Sequence, residues 1–121
     1  PYLKDPGPST VLLVLGESIN RDNMSLYGYP RETTPRLKQL VASLGRDVDV
    51  LKNAWSSDAS TVPSVRKMLQ FGNGEPGAGR HLVALARAAG YRVWWISNQD
   101  DVTIDQEHAQ LADHVHMFNR K

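Results

Sequence analysis

Glu17 and Thr61 are the residues whose types and settings could do chemistry. Glu17 lies in Gly16-Glu17-Ser18, directly after the uninterrupted apolar run Val11 to Leu15. A carboxylate there could bind a metal, act as a base, or cap the segment that follows. Thr61 stands where the next residues begin a helical pattern. A hydroxyl at a helix start is first of all a cap. The functional reading is that helix N–H groups and the positive helix end would stabilise a phosphoryl group on it. A threonine hydroxyl is a poor nucleophile at neutral pH unless a base or metal lowers its pKa. Glu17 could be one ligand of such a metal. Oxygen ligands suit zinc, magnesium or manganese, so the pair alone does not name the ion.

The histidines offer less. His81 opens a predicted helix and is expected to face solvent. His108 shares the apolar stripe of the last predicted helix and is expected to be partly buried and structural. Asp113-His114-Val115-His116 places three ligand types in four residues. On a helix, however, His114 and His116 do not share a face. As an extended segment they could bind metal.

The elements that must position these residues follow from the pattern. The run Val11 to Leu15 reads as a strand covered on both faces, typical of a central strand in a parallel sheet. It would deliver Glu17 to the carboxyl edge, where open α/β folds place ligands. Residues 1–10 read as a linker, since Asp5-Pro6-Gly7-Pro8 can continue neither a helix nor a central strand. Ile19 to Thr33 is a long irregular loop, a length often associated with function. Its Tyr27 and Tyr29 are expected to pack against the loop.

Thr34 and Pro35 announce a helix with Leu37, Leu40, Val41 and Leu44 on one face and Gly45 as its stop. Val48 to Trp55 suggests a second strand. The helix from Ser60 or Thr61 carries Val62, Val65 and Leu69, and tolerates Pro63 only within its first turn. A breaker-rich loop at residues 71–77 leads to a helix over 80–89, with Leu82, Leu85 and Ala89 inward and Gly90 closing it. Tyr91 to Ser97 is a strong strand whose tryptophans, Trp94 and Trp95, face opposite sides. The tail predicts one more helix, from a capping box at Thr103 and Gln106 through Ile104, His108, Leu111 and Val115. The sum is an α/β layer sandwich.

Composition narrows the classes. The chain has 121 residues, 40% hydrophobic and 22% charged, which suits one globular domain. A net charge of +1 argues for neither nucleic acid nor an anionic membrane surface. Cysteine is absent, which excludes disulfides and cysteine-based zinc sites. No apolar run reaches the roughly 18 residues of a membrane span. The proline-rich opening and abrupt end read as a piece of a larger protein. No dinucleotide-binding glycine fingerprint, phosphate-binding P-loop or GxSxG elbow is present.

Three stretches together carry a resemblance. VLLVLGES-INRDNMSLYGYPRETTPRL, LKNAWSSDASTVPSVRKML and LARAAGYRVWWISNQ, in this order, are similar to the periplasmic catalytic domain of bacterial phosphoethanolamine transferases, in the sulfatase and alkaline-phosphatase superfamily. The resemblance implies a three-layer α/β/α sandwich, of which residues 11–121 would be a truncated N-terminal portion. Val11 to Leu15 and Arg92 to Ile96 would form a parallel pair. It implies zinc, with Glu17 and Thr61 as ligands and Thr61 also the nucleophile. Thr61 would take phosphoethanolamine from phosphatidylethanolamine and pass it to lipopolysaccharide, with Asn98 near the headgroup. The STVPSVRKMLQF context, and Ser57 where lipid A-modifying members often carry a cysteine, favour the branch that decorates the core heptose.

The resemblance also places this domain on the periplasmic side of the bacterial inner membrane, with membrane contact through transmembrane segments absent from this chain. Its remaining zinc ligands, an Asp-His pair and a further histidine, would lie beyond Lys121. Asp113-His114 matches that pair only in letters. The isolated chain is therefore expected to bind zinc weakly and transfer nothing. The alternatives are a phosphoglycerol transferase or sulfatase-like hydrolase of the same superfamily, or a non-catalytic α/β binding domain.

Overall fold

A computed structural model describes residues 10–71, 80–99 and 106–118. All of the expected linker except Thr10 lies outside them, as do most of the breaker-rich loop and Thr103 of the expected capping box. The chain divides into a unit of residues Leu12–Trp55 and a unit of Pro1–Val11 with Ser56–Lys121.

In the first unit, short 3-10 turns at Arg21–Asn23 and Ser25–Tyr27 precede helix α1, Pro35–Leu44. Pro35 stands at the first helical position, where its missing N–H costs nothing. Gly45 ends the helix at φ 55, a conformation open to glycine. Leu37, Leu40 and Leu44 stay exposed, so the expected apolar face of α1 is not a buried one here.

Two expected strands of this region do not form. Residues 11–15 join no ladder among the described residues, and Leu12 is 85% exposed. An apolar run can specify two covered faces, but a strand also needs a neighbour to pair its N–H and C=O groups. Residues 48–55 are likewise not a strand. Side chains hold them instead: Arg21 donates to the carbonyls of Lys52 (2.7 Å) and Ala54 (2.9 Å), and Tyr27 Oη donates to Leu51 (3.3 Å). The Arg21 guanidinium also lies 4.8 Å from the Trp55 ring centroid, a cation–π contact.

The second unit holds the regular sheet structure. Helix α2, Thr61–Leu69, runs into β1, Gln70–Phe71, which pairs antiparallel with β2, Arg80–His81. Helix α3, Leu82–Ala88, follows at once. Strand β3, Trp94–Ser97, pairs in parallel with β4, His114–Met117, in the register Trp94 to His114 through Ser97 to Met117. The connection carries helix α4, Gln106–Ala109, as a parallel pair requires a long crossover. Among the described residues of this unit, Leu69, Val83 and Ala109 are the buried apolar side chains, and His81, Ser97 and His108 are buried as well.

The tail corrects two expectations. The partner of β3 is β4 rather than residues 11–15, and the helix expected through Val115 ends at Ala109. Leu111 and Ala112 donate to the carbonyls of His108 (3.2 Å) and Ala109 (3.1 Å), which turns the chain. The Val93 carbonyl then accepts from Asp113 N (2.9 Å) and His114 N (3.1 Å), while the Asp113 carboxylate takes the Val93 N–H (2.7 Å). These bonds capture the chain as a strand before a second helical turn can form. Trp94 is exposed and Trp95 half-buried, as the expected alternation requires.

Candidate functional site

Thr61 is placed by the turn before it. Ser56 Oγ donates to the Asp58 carbonyl (2.7 Å) and lies 2.7 Å from Ser64 Oγ on the helix. The Asp58 carboxylate accepts from Ala59 N (2.8 Å) and Ser60 N (3.4 Å), and from Lys67 Nζ (2.9 Å). Asp58 thus ties the loop to both ends of the same helix. The cap position belongs to Ser60, extended at φ −114, so Thr61 is the first helical residue and half-buried. Pro63 falls within the first turn, as the sequence requires.

The Lys67 ammonium, followed by the backbone N–H of Ser60, holds the Asp58 carboxyl below its ordinary range against a smaller opposing effect of desolvation. A lowered folded-state pKa means that the unfolded chain takes the proton first as pH falls. The stabilisation is therefore complete above the ordinary carboxylate range and is lost as pH falls through the lowered value. Acid titration of stability should show a weaker dependence below about pH 4 for Asp58→Asn than for the unaltered chain. Equal acid dependence would remove Asp58 from this role.

Glu17 lies in the first unit and is half-buried. Ser18 Oγ reaches both of its carboxylate oxygens, at 2.9 Å and 3.3 Å. Ser18 itself adopts φ 53, a left-handed conformation uncommon for a residue with a side chain. Such conformations concentrate at functional sites. A shallow cleft of about 440 Å³ in this unit is lined by Arg21, Asp22, Leu26, Tyr27, Gly28 and Lys52, and Glu17 is not among them.

Asn98 follows β3 in the second unit and is exposed at the strand's carboxyl end. Ser97 beside it is buried, with its hydroxyl accepting from Gln99 N (3.0 Å) and its carbonyl from Phe118 N (2.8 Å). His114 and His116, being on a strand, share a face after all. Trp94 stacks on both, with ring centroids 4.0 Å and 6.0 Å away. Among the described residues no group of three or more His, Asp or Glu side chains could hold a metal ion.

Two features escaped the sequence reading. The first is a hydroxyl clasp inside SLYGYPRETTP. Thr33 Oγ1 accepts from Ser25 N (2.9 Å) and donates to the Asn23 carbonyl (2.6 Å). Thr34 Oγ1 accepts from Leu26 N (3.0 Å) and lies 3.1 Å from the buried Ser25 Oγ, which accepts from Thr34 N (2.9 Å). Thr34 therefore spends its hydroxyl on the loop and makes no side-chain bond to the helix it precedes. The adjacent threonines were the available signal. Thr34→Val should cost about 1–3 kcal/mol by stranding polar groups around Ser25. Urea denaturation of the purified variant measures this, and a loss of a few tenths of a kcal/mol would sink it.

The second feature is His81. It is not solvent-facing but buried at 7% exposure, because its Nδ1 accepts from Val83 N (3.0 Å) as the cap of α3. His108, expected to be partly buried, is 2% exposed.

The sulfatase family model matches residues 9–120. Phosphoethanolamine transferase EptC of Escherichia coli (strain K12) is 39% identical over 101 residues, which cover 79% of this chain and 17% of that protein. Phosphoethanolamine transferase CptA of Salmonella typhimurium (strain LT2) is 37% identical over 100 residues, again 79% of this chain and 17% of that protein. The chain thus spans about a sixth of the length of these relatives. The crystal structure of the C-terminal periplasmic domain of EptC from Escherichia coli, in complex with zinc, superposes with a TM-score of 0.78 at 29% identity. That match covers 88% of this chain and 32% of the other. The mixed α/β fold is accordingly the sulfatase-like one expected from the sequence. This chain belongs to the sulfatase family, and its sequence and fold are similar to those of phosphoethanolamine transferases.

Proposed function

We propose that residues 11–121 form the N-terminal portion of a longer catalytic domain that transfers phosphoethanolamine from phosphatidylethanolamine to lipopolysaccharide, with Thr61 as nucleophile. The observation that carries this reading is Thr61 at the first position of α2, with Ser60 in the cap position before it, in a chain similar to known phosphoethanolamine transferases. Thr61 Oγ1 forms a bond to phosphorus as the bond to the glycerol oxygen breaks. The threonine proton is lost and diacylglycerol leaves with a proton on that oxygen. An acceptor hydroxyl or phosphate then attacks the same phosphorus and returns Thr61 to its free form. The N–H groups and positive end of α2 support negative charge developing beside Thr61.

The donor types fit zinc. The Glu17 carboxylate and the Thr61 hydroxyl are oxygen ligands of the kind zinc accepts, and Ser18 holds the Glu17 carboxylate through its hydroxyl. When bound, zinc would lower the pKa of a ligated hydroxyl and polarise the phosphate. Asn98, at the carboxyl end of β3, is proposed to bind the headgroup. The STVPSVRKMLQF context favours the core heptose as acceptor, with the domain on the periplasmic side of the inner membrane.

Intact-mass measurement after incubation with headgroup-labelled phosphatidylethanolamine tests this reading. A phosphoethanolamine adduct mapping to Thr61 is expected in the protein that carries the full ligand set, and none on the 121-residue chain. An adduct on another residue would overturn it.

A further inference from the structure

His114 and His116 serve neither the proposed transfer reaction nor the buried core. Both stand on β4, two residues apart, where side chains alternate between faces and every second one shares a face. Two strand rises separate them by about 6.6 Å along the chain. Both are exposed. Across the parallel ladder the same face carries Trp94, opposite His114, and Ile96, opposite His116, and these are exposed as well.

Trp94 gives the two rings a common orientation. Its indole stacks on His114 at a centroid distance of 4.0 Å with a tilt of 25°, and on His116 at 6.0 Å with a tilt of 9°. Two imidazoles nearly parallel to one indole are nearly parallel to each other. The adjacent carboxylate is committed elsewhere: Asp113 accepts the Val93 N–H (2.7 Å) and pairs with Arg87 (3.1 Å). The ligand set this face offers is therefore two imidazole nitrogens.

We propose that His114 and His116 chelate a divalent transition-metal ion, copper(II) in preference to zinc, on the exposed face of β3 and β4. A neutral imidazole nitrogen is the commonest protein ligand for such ions, at about 2.0–2.1 Å from zinc. Once one ring has bound, the second binds from the same strand, so its step is intramolecular. Water fills the remaining positions, which makes this an open site rather than a four-ligand structural one. Affinity among divalent first-row ions peaks at copper(II), whose tetragonal geometry accepts two neighbouring nitrogens and two waters. Calcium and magnesium, which require oxygen ligands, find none in this pair. The nitrogen pair is distinct in chemistry from the oxygen donors Glu17 and Thr61, so the proposal stands whether or not the transfer reading does.

The test combines calorimetric titration of the 121-residue chain with copper(II) chloride and zinc chloride and NMR of its imidazole signals. Copper(II) is expected to bind more tightly than zinc. Because the ion is paramagnetic, a substoichiometric amount should broaden the His114 and His116 signals ahead of those of His81 and His108. His114→Ala and His116→Ala each remove one ligand from an exposed position, and each should weaken copper(II) binding about tenfold or more. A smaller loss in either variant, zinc binding more tightly than copper(II), or broadening that does not single out His114 and His116 overturns the proposal. Should a variant fail to fold, the broadening pattern of the unaltered chain decides by itself.

Discussion

In the protein that carries the full ligand set, Thr61→Ala is expected to abolish the phosphoethanolamine adduct while the protein stays folded. This separation follows from where the residue sits. Were Thr61 the cap of α2, its loss would cost about 0.5–2 kcal/mol. Ser60 occupies the cap position instead, and the loop before it is tied down by Ser56, Asp58 and Lys67. Alanine is an excellent residue for the first turn of a helix, so the change in stability should stay within about 2 kcal/mol, the upper end for a lost cap. The adduct, by contrast, needs an oxygen at this position, and none remains. Thr61→Ser keeps a hydroxyl and should retain an adduct. Intact-mass measurement and urea denaturation of the same preparations report the two effects side by side. An adduct surviving in Thr61→Ala would remove Thr61 as nucleophile, whereas a loss of adduct accompanied by unfolding would point to a structural role.

Leu69→Ala should be the most damaging single change to the second unit. Leu69 is 2% exposed and ends α2 one residue before β1, where it is one of three buried apolar side chains among the described residues. Truncating a buried leucine costs about 2–5 kcal/mol from lost transfer energy and the cavity left behind. A core this small has few neighbours able to close the gap. The urea midpoint should fall well below that of the unaltered chain, and a loss under about 1 kcal/mol would mean that the surroundings collapse onto the site. Exposed positions of the same helix, such as Met68, should be near neutral on substitution.

The contrast between Leu69 and the run Val11 to Leu15 bears on what kind of information each stretch contains. Leu69 was one of three apolar positions on the predicted α2 stripe. Which of them would be buried depended on how β1 and α3 arrange themselves nearby. Val11 to Leu15 is the most apolar stretch of the chain, yet all five residues are exposed. Hydrophobicity alone says that a segment favours cover. It does not say which segment supplies it.

What the amino-acid sequence determined by itself was the local structure and the family. A helix closes its hydrogen bonds within its own segment, so Thr34-Pro35 through Gly45 marked α1, and Ser60-Thr61 marked the start of α2. Family membership was legible in the three ordered stretches around Glu17, Thr61 and Trp94. The tertiary structure decided strand pairing and the burial of His81 and His108. A strand borrows its hydrogen bonds from a partner that can lie far along the chain, so β3 met β4 rather than residues 11–15. The residues 104–115 satisfy helical spacing over a stretch too short to exclude a strand, and the bonds to Val93 settled the matter. His81 reads as a polar residue at a helix start. Only the tertiary structure brought its two ring nitrogens to Val83 N and His108 and buried it.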